Sequence, residues 1–313
     1  MKHFYLTMLM AAGVLTASAQ SDVYFTKDIS PESLVKIYEA LGVPPTGKVA
    51  VKISTGESSK SNHLSPELIA PLVQKVNGTL VECNTLYGGN RGDSKSHRKA
   101  IAERGYDKIA PVDIMDEEAE IAIAVNDSTW IHYDLVGANL PNYDYMINLA
   151  HFKGHQMGGF GGVLKNASIG VASSAGKAYI HTAGNSTSGW HNPHGQDAFL
   201  ESMASAAQGV HNFFKQPGKD IVYINVMNNM SVDCDCNGNP ASPELLDMGI
   251  LASTDPVALD KACLDLIFNH ESSEGDNSAP LVERINSLHG THIVEHAEKI
   301  GLGSQNYNLI NLD

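Results

Sequence analysis

Short apolar segments with the character of β-strands alternate with capped helices along much of the chain, and this alternation restricts the fold more than any other feature. The tripeptides Ser30-Pro31-Glu32 and Ser65-Pro66-Glu67 each place a capping hydroxyl, a proline and an acid in the order that begins a helix. The predicted strands cover residues 49–53, 79–83, 120–125, 145–150 and 221–226. Several of them are apolar on both faces, as strands buried in a parallel sheet are. We therefore predict an α/β fold with a mostly parallel sheet and helices on both faces.

The first 19 residues have the order of features found in secretory signal peptides. A basic start at Met1-Lys2-His3 precedes an apolar stretch over residues 4–15, and Ala17-Ser18-Ala19 supplies the small residues of a cleavage site. We predict cleavage after Ala19 and export to a periplasm or the cell exterior, with a single α/β domain over residues 20–313. The later sequence has no apolar run near the ~20 residues of a membrane span, so we expect none there.

The chain is acidic, with 35 Asp and Glu against 21 Lys and Arg and a formal net charge of −14. A nucleic-acid-binding protein needs a basic face for the phosphates, so this balance argues against that class of protein. Hydrophobic residues make up 42% of the chain and charged residues only 18%, which supplies a large core and argues against disorder.

A glycine-rich stretch follows the strand predicted at residues 145–150, which is where open α/β sheets bind ligands. Glycines this dense let backbone N–H groups converge on an anion or a cofactor. The spacing matches neither the P-loop nor the dinucleotide-binding fingerprint. We predict a pocket here for a small anionic ligand or a phosphate-bearing cofactor. The cofactor-binding candidates are Gly159, Gly161 and Gly162, and the catalytic candidates are Lys153, His155 and Lys165.

Two thiols and two carboxylates occupy four consecutive positions, Asp233-Cys234-Asp235-Cys236, after the strand predicted at residues 221–226. Cys234, Cys236 and Asp235 are candidate ligands for a soft or borderline metal ion, although one C-x-C pair supplies at most two thiols. The alternative is a disulfide from either cysteine to Cys83 or Cys263, because an even number of cysteines in an exported protein also indicates disulfides.

A third polar stretch, residues 83–93, follows the strand predicted at residues 79–83. Asn90 and Arg91 are candidates for fixing a carboxylate or phosphate, Arg91 through a bidentate fork. A purely structural loop explains the two residues equally well. Near the end of the chain, His292 and His296 are four residues apart, so one helix face would present both, but the H-E-x-x-H order of zinc hydrolases is missing.

In these stretches the sequence resembles the family catalogued as domain of unknown function 362. The segments that carry the resemblance are residues 23–41, 82–89 (ECNTLYGG), 151–172 (HFKGHQMGGFGGVLKNASIGVA) and 233–265 (DCDCNGNPASPELLDMGILASTDPVALDKACLD). Many members of this family carry an additional ferredoxin-type segment with four closely spaced cysteines. This chain has no such segment, which argues against an electron-transfer role.

A shorter stretch is similar to a segment of the nickel-pincer lactate racemases. It has the pattern His155-x₃-Gly159-Phe160-x-Gly162-x₂-Lys165, followed by Gly170 and His181. The resemblance implies that Lys165 tethers the pincer nucleotide, that His181 is a ligand of nickel and that His155 is a catalytic acid or base. The position of that family's second catalytic histidine corresponds to Asn90 here. The similarity therefore implies a shared ancestral pocket and not racemisation.

Three functions remain open at this point. The first is an exported enzyme that depends on a metal or cofactor, with nickel or iron as the candidate metal, and acts on a small anionic substrate. The second is a non-catalytic protein that binds an anionic metabolite and keeps its cysteines in disulfides. The third is an electron-transfer protein with an iron–sulfur cluster at Cys234 and Cys236.

Overall fold

The computed structural model describes residues 20–313, and the predicted signal peptide lies outside the described residues. Within this part of the chain the strands are β1 (Ser21–Thr26), β2 (Val49–Lys52), β3 (Thr79–Glu82), β4 (Val112–Ile114), β5 (Glu120–Ile123), β6 (Asp134–Gly137), β7 (Tyr145–His151), β8 (Lys153–His155), β9 (Gly159–Gly161), β10 (Asp220–Met227), β11 (Gly249–Ser253) and β12 (Tyr307–Asn311). The α-helices are α1 (Pro31–Ala40), α2 (Pro66–Lys75), α3 (Ser94–Arg104), α4 (Val163–Ala167), α5 (Ser174–His181), α6 (Gln196–Phe214), α7 (Pro256–Phe268), α8 (Ala279–Ser287) and α9 (His292–Lys299).

Eight strands form one sheet in the order β12-β1-β11-β10-β7-β2-β3-β4. Five neighbouring pairs run parallel, and the two antiparallel pairs both involve β11. The prediction of a mostly parallel sheet is confirmed. The strand predicted at residues 120–125 forms as β5, but it pairs with β6 in a separate two-stranded ribbon. A second ribbon, β8 with β9, carries the start of the glycine-rich stretch.

The central strand β7 shows how the sheet divides the core into two layers. All seven of its residues are buried, and successive side chains of a strand point to opposite faces. Ile147 and Leu149 pack in a core that includes residues of α1 and α2. Met146 and Ala150 pack in another core, which includes residues of α6 and α7. The prediction of helices on both faces is therefore confirmed.

Both predicted helix starts are confirmed by their hydrogen bonds. The hydroxyl of Ser30 accepts the N–H of Ser33 at the start of α1, and the hydroxyl of Ser65 accepts the N–H of Leu68 at the start of α2. Strand β1 is not among the predicted elements, because its partners β11 and β12 lie more than 220 residues further along the chain. None of the described helices is long and apolar enough to cross a membrane.

Candidate functional site

Three loops that leave the sheet at its carboxyl edge enclose one cavity. They follow β3, β7 and β10, which lie with β2 in a parallel block, so the ends of these strands share one edge. The cavity has a volume of about 300 Å³, which suits a small ligand. The predicted site residues that line it are Arg91, Lys153, His155, Gly161, Gly162, Lys165, His181, Cys234 and Cys236.

Two of the predicted cofactor-binding residues lie outside this lining. Gly159 has a φ of +80°, and a β-carbon there would lie 2.8 Å from the α-carbon of Gly290. Glycine at this position therefore allows the two backbone segments to pack closely. Asn90 donates its backbone N–H and its side-chain amide to Glu57, which leaves it as a residue that shapes the loop.

The first two backbone N–H groups of α4 already have a hydrogen-bond acceptor within the protein. The buried carboxylate of Asp260 accepts the N–H groups of Val163 at 2.9 Å and of Leu164 at 3.0 Å. A β-carbon at Gly162 would lie 2.2 Å from Asp260 Oδ1, so glycine is required for this contact. We expected the amides of this stretch to converge on a ligand, but Asp260 supplies the anion for these two.

Asp235, predicted to be a metal ligand, is placed as a buried counterion. Its Oδ1 lies 2.8 Å from Nδ1 of His151, and its Oδ2 lies 3.1 Å from Nζ of Lys153. Burial opposes ionisation of Asp235, but Lys153 and then His151 outweigh it and hold its pKa well below the usual range. Burial likewise opposes the charge on Lys153, and Asp235 raises the pKa of Lys153 in return.

A second buried ion network is centred on Glu82, at the end of β3. Nζ of Lys52 lies 3.0 Å from Glu82 Oε2, and Nη1 of Arg91 lies 3.3 Å from Oε1. Arg91 also reaches Glu57, with its Nε 3.3 Å from Oε2. Burial raises the pKa of Glu82, but Lys52 and Arg91 outweigh it and lower the value to about 2. Lys52 and Glu82 line the cavity and were missed, although a charged residue inside each apolar strand was the available signal.

Two further lysines give the cavity surplus positive charge. Lys165 and Lys177 line it, and in the described part of the chain neither has a carboxylate at ion-pair distance. Lys177 donates to the carbonyl of Ala172, and burial lowers its pKa. The carboxylates of the two networks already balance Lys52, Arg91 and Lys153. Even when an ionised Cys234 is counted against Lys165, one cation remains, and this surplus favours an anionic occupant.

The two cysteines of the C-x-C pair have different thiol chemistry. The Cys236 thiol hydrogen-bonds to Cys234, and this bond lowers the pKa of Cys234; Lys165 and His155 lower it further, against the effect of burial. The same hydrogen bond raises the pKa of Cys236. The backbone N–H of Cys236 also donates to Cys234 Sγ at 3.3 Å. Cys234 is thus the thiol of the pair that ionises more readily, and Cys236 is its hydrogen-bond donor.

All four cysteines lie within the described residues and all are free. Cys83 and Cys263 are buried, and burial raises the pKa of both thiols. The disulfide considered for the C-x-C pair is absent from this part of the chain.

Two histidines face the cavity with opposite hydrogen-bonding patterns. Nδ1 of His155 accepts the N–H of Gly158 at 2.8 Å, so the proton of the neutral ring lies on Nε2. Nδ1 of His181 donates to the carbonyl of Lys177 at 2.7 Å, so its Nε2 carries a lone pair. Burial lowers the pKa of His155, and it lowers the pKa of His181 to about 3. Both rings are therefore neutral at neutral pH.

Aromatic side chains fix the His181 ring. It stacks on Phe199 with 4.7 Å between ring centroids and meets Trp190 edge-on at 5.0 Å. Trp190 lines the cavity and is 44% exposed, so it lies at the cavity mouth. The sequence offered no sign of this role, because Trp190 is distant in sequence from all three loops.

Solved structures similar to this chain include two of low sequence identity. One is a protein from Thermotoga maritima, with 13% identity, a TM-score of 0.43 and coverage of 72% of this chain and 55% of that one. The other is a lactate racemase apoprotein from Thermoanaerobacterium thermosaccharolyticum, with 15% identity, a TM-score of 0.42 and coverage of 82% and 59%. This chain thus aligns with little more than half of either structure, and at these TM-scores neither likeness establishes a function.

No curated protein matches the chain. A family model does match, over residues 49–265, which include the three loops that enclose the cavity. The chain belongs to the family described as domain of unknown function (DUF362).

Proposed function

We propose that this protein is a metal- or cofactor-dependent enzyme that acts on a small anionic substrate in the cavity. The observation that carries the proposal is that surplus positive charge, a thiolate and two neutral histidines meet in one cavity. Lys165 and Lys177 would neutralise the carboxylate or phosphate of the substrate. The thiolate of Cys234 and the histidines would then supply bond-making and proton transfer.

The two histidines supply complementary proton chemistry. His155 presents an N–H that can donate a hydrogen bond to developing negative charge, and His181 presents a lone pair that can accept a proton. The racemase resemblance implies an acid–base role for His155. The lone pair of His181 serves equally as a base or as a metal ligand, because a ligating histidine also donates its other N–H to a carbonyl.

The thiol pair suits a soft or borderline metal ion. Sγ of Cys234, Sγ of Cys236 and a ring nitrogen of His155 lie within 4.8 Å of one another. His155 fits less well as the third ligand, because amide N–H groups of Met157 and Gly158 are directed at its Nδ1 and keep the proton on Nε2. The two cysteines would therefore hold the ion. A bound nickel or iron ion would supply Lewis-acid or redox chemistry beside the substrate.

A metal-free enzyme is the second candidate, and the hydrogen bonds of His155 favour it. A cysteine whose pKa is lowered by a neighbouring lysine and a histidine N–H is of the kind that acts as a nucleophile. The disulfide-containing binding protein loses support because the cysteines are free. The iron–sulfur hypothesis gains none, because the described residues bring only two cysteines together here and a cluster needs four ligands.

Elemental analysis of protein purified without oxygen from its native host, with a UV–visible spectrum, tests the metal. We expect stoichiometric nickel or iron that is lost in Cys234→Ala and in Cys236→Ala. Cys263→Ala is the matched control, since that thiol is buried away from the cavity, and it should keep the metal. Colourless, metal-free protein whose Cys234 is still ionised would select the thiolate enzyme. A protein with neither metal nor a reactive thiol would overturn both candidates.

We also propose that the chain is exported after cleavage at the predicted site. The support is the order of basic, apolar and small residues in the first 19 positions. N-terminal sequencing of the native protein should begin at Gln20, and a protein that retains Met1 would contradict the proposal.

A further inference from the structure

A cluster of histidines and carboxylates lies between α6 and α9, apart from the cavity residues. Its central donors are Glu201 on α6 and His292 and His296 on α9. The two histidines are four residues apart, so they lie on one face of α9, and that helix packs against α6. One ligand atom from each of the three side chains lies within 4.8 Å of the other two. We propose that these three residues bind a divalent transition-metal ion of the zinc type.

The separations of the donor atoms match a tetrahedral metal site. Oε1 of Glu201 lies 3.0 Å from Nε2 of His292 and 3.4 Å from Nδ1 of His296. Ligands at the usual zinc distances of about 2.0–2.1 Å lie roughly 3.3 Å apart in a tetrahedron. Two edges of the site are therefore already near the length that a metal ion requires. An N₂O donor set of imidazoles and a carboxylate suits zinc and its first-row neighbours.

One donor atom of the cluster has no hydrogen-bond partner. Nδ1 of His296 has no hydrogen-bond partner, and the residue is buried, with only 4% of its surface exposed. A buried polar atom without a partner is costly in a folded protein. A metal ion between this nitrogen and the Glu201 carboxylate would satisfy it.

Two of the three ligands are held by outer hydrogen bonds, as in established metal sites, and the third has a carboxylate nearby. Nε2–H of His296 donates to Oδ2 of Asp127 at 2.9 Å. Nδ1 of His292 lies 3.6 Å from a carboxylate oxygen of Glu295. The second oxygen of Glu201 accepts the indole N–H of Trp130 at 2.6 Å. The remaining atoms, Glu201 Oε1 and one nitrogen from each histidine, converge on a single point.

The Asp127 carboxylate is itself held in place. Ser205 donates to it at 2.9 Å, and the hydroxyl of Thr129 donates at 2.6 Å. Asp127 is therefore fixed where it accepts a hydrogen bond from the outer nitrogen of His296. The site joins α6, α9 and the loop after β5, and its three protein ligands leave the fourth position of a tetrahedral ion to water.

Zinc titration of the full chain after removal of metals tests the proposal. The background is Cys234→Ala with Cys236→Ala, because the thiol pair of the cavity would otherwise also bind zinc. We expect one equivalent of zinc and a rise in melting temperature on its addition. In this background His292→Ala and Glu201→Gln should each weaken zinc binding at least tenfold, and Asp127→Asn should weaken it roughly 10- to 100-fold. Cobalt in place of zinc should give a spectrum without a thiolate charge-transfer band.

His289→Ala is the matched control. This exposed histidine stacks on His292 at 4.9 Å and pairs with Asp197, but it does not belong to the proposed ligand set. Zinc affinity should be unchanged in this variant. An equal loss of affinity here would place the metal on Asp197, His289 and His292 and overturn the proposal. So would the absence of bound zinc in the cysteine-free background, or an affinity that Glu201→Gln leaves unchanged.

Discussion

Replacing Asp235 with a residue that has no carboxylate should be among the most destabilising polar substitutions in this protein. The structure indicates how much unfolding free energy would be lost. The side chain of Asp235 is 1% exposed and that of Lys153 is 8% exposed, with 3.1 Å between Oδ2 and Nζ. Asp235→Asn leaves the lysine as a buried charge without its counterion. Breaking a buried ion pair in this way costs about 3–5 kcal/mol of unfolding free energy. For roughly 290 folded residues, a loss of about 4 kcal/mol lowers the melting temperature by about 6 °C.

A double-mutant cycle separates the buried charge from general disruption. Lys153→Met added to Asp235→Asn removes the unpaired ammonium, so at least half of the lost stability should return. Denaturant unfolding of the wild type, both single variants and the double variant gives the coupling energy. Additive losses, or a loss below about 1 kcal/mol in Asp235→Asn, would refute the reasoning.

The pH dependence of the same cycle has a definite sign. The pKa of Asp235 is lowered in the folded state, so its contribution is fully present above the unfolded pKa of about 3.9. It is lost as the pH falls further. The stability difference between wild type and Asp235→Asn should therefore be constant near neutrality and shrink below about pH 4. A difference that grew on acidification would contradict the assignment of Asp235 as the counterion.

Two further predictions concern the cavity. Iodoacetamide at pH 7 should modify Cys234 in metal-free protein. Cys83 and Cys263 should stay unmodified until the protein unfolds, because burial raises the pKa of those two thiols. Peptide mass analysis identifies the modified residue, and equal labelling of Cys263 would contradict the prediction. Lys165→Met should weaken the binding of inorganic phosphate about tenfold by calorimetry. The exposed lysine control, Lys95→Met, should leave phosphate affinity unchanged, and an unchanged affinity in Lys165→Met would remove this lysine from the anion site.

The sequence predicted those parts of the fold that local rules determine. Capped helices such as α1 and α2 have their hydrogen-bonding residues beside them in the chain. The buried strands β7 and β10 can be recognised in the sequence by their runs of apolar residues. Strand β1 could not be predicted in this way, since its partners β11 and β12 come from the other end of the chain. Helix α6 has a glycine before it and no side-chain cap, so its start has no local signal.

The candidate site was predicted as a set of residue types but not as a set of contacts. That three loops meet follows from the rule for parallel strands, which needs only the strand assignments. Which carboxylate neutralises which cation does not follow from any rule about sequence. Asp235 looks like a metal ligand beside two cysteines, yet its nearest partners, His151 and Lys153, lie more than 80 residues earlier in the chain. Asp260, which occupies the first amides of α4, lies almost 100 residues after them.

The charge of the whole chain and the charge of the cavity have opposite signs, and this limits how a substrate is recognised. A net charge of −14 repels anions at long range, so the protein surface does not steer an anionic substrate towards the site. Recognition must therefore act at short range, where Lys165 and Lys177 have no carboxylate at ion-pair distance among residues 20–313. A low dielectric strengthens charge interactions inside the cavity and weakens their screening by salt. A small substrate that fits a cavity of about 300 Å³ gains this attraction, whereas a large polyanion is excluded by the cavity size and repelled by the surface.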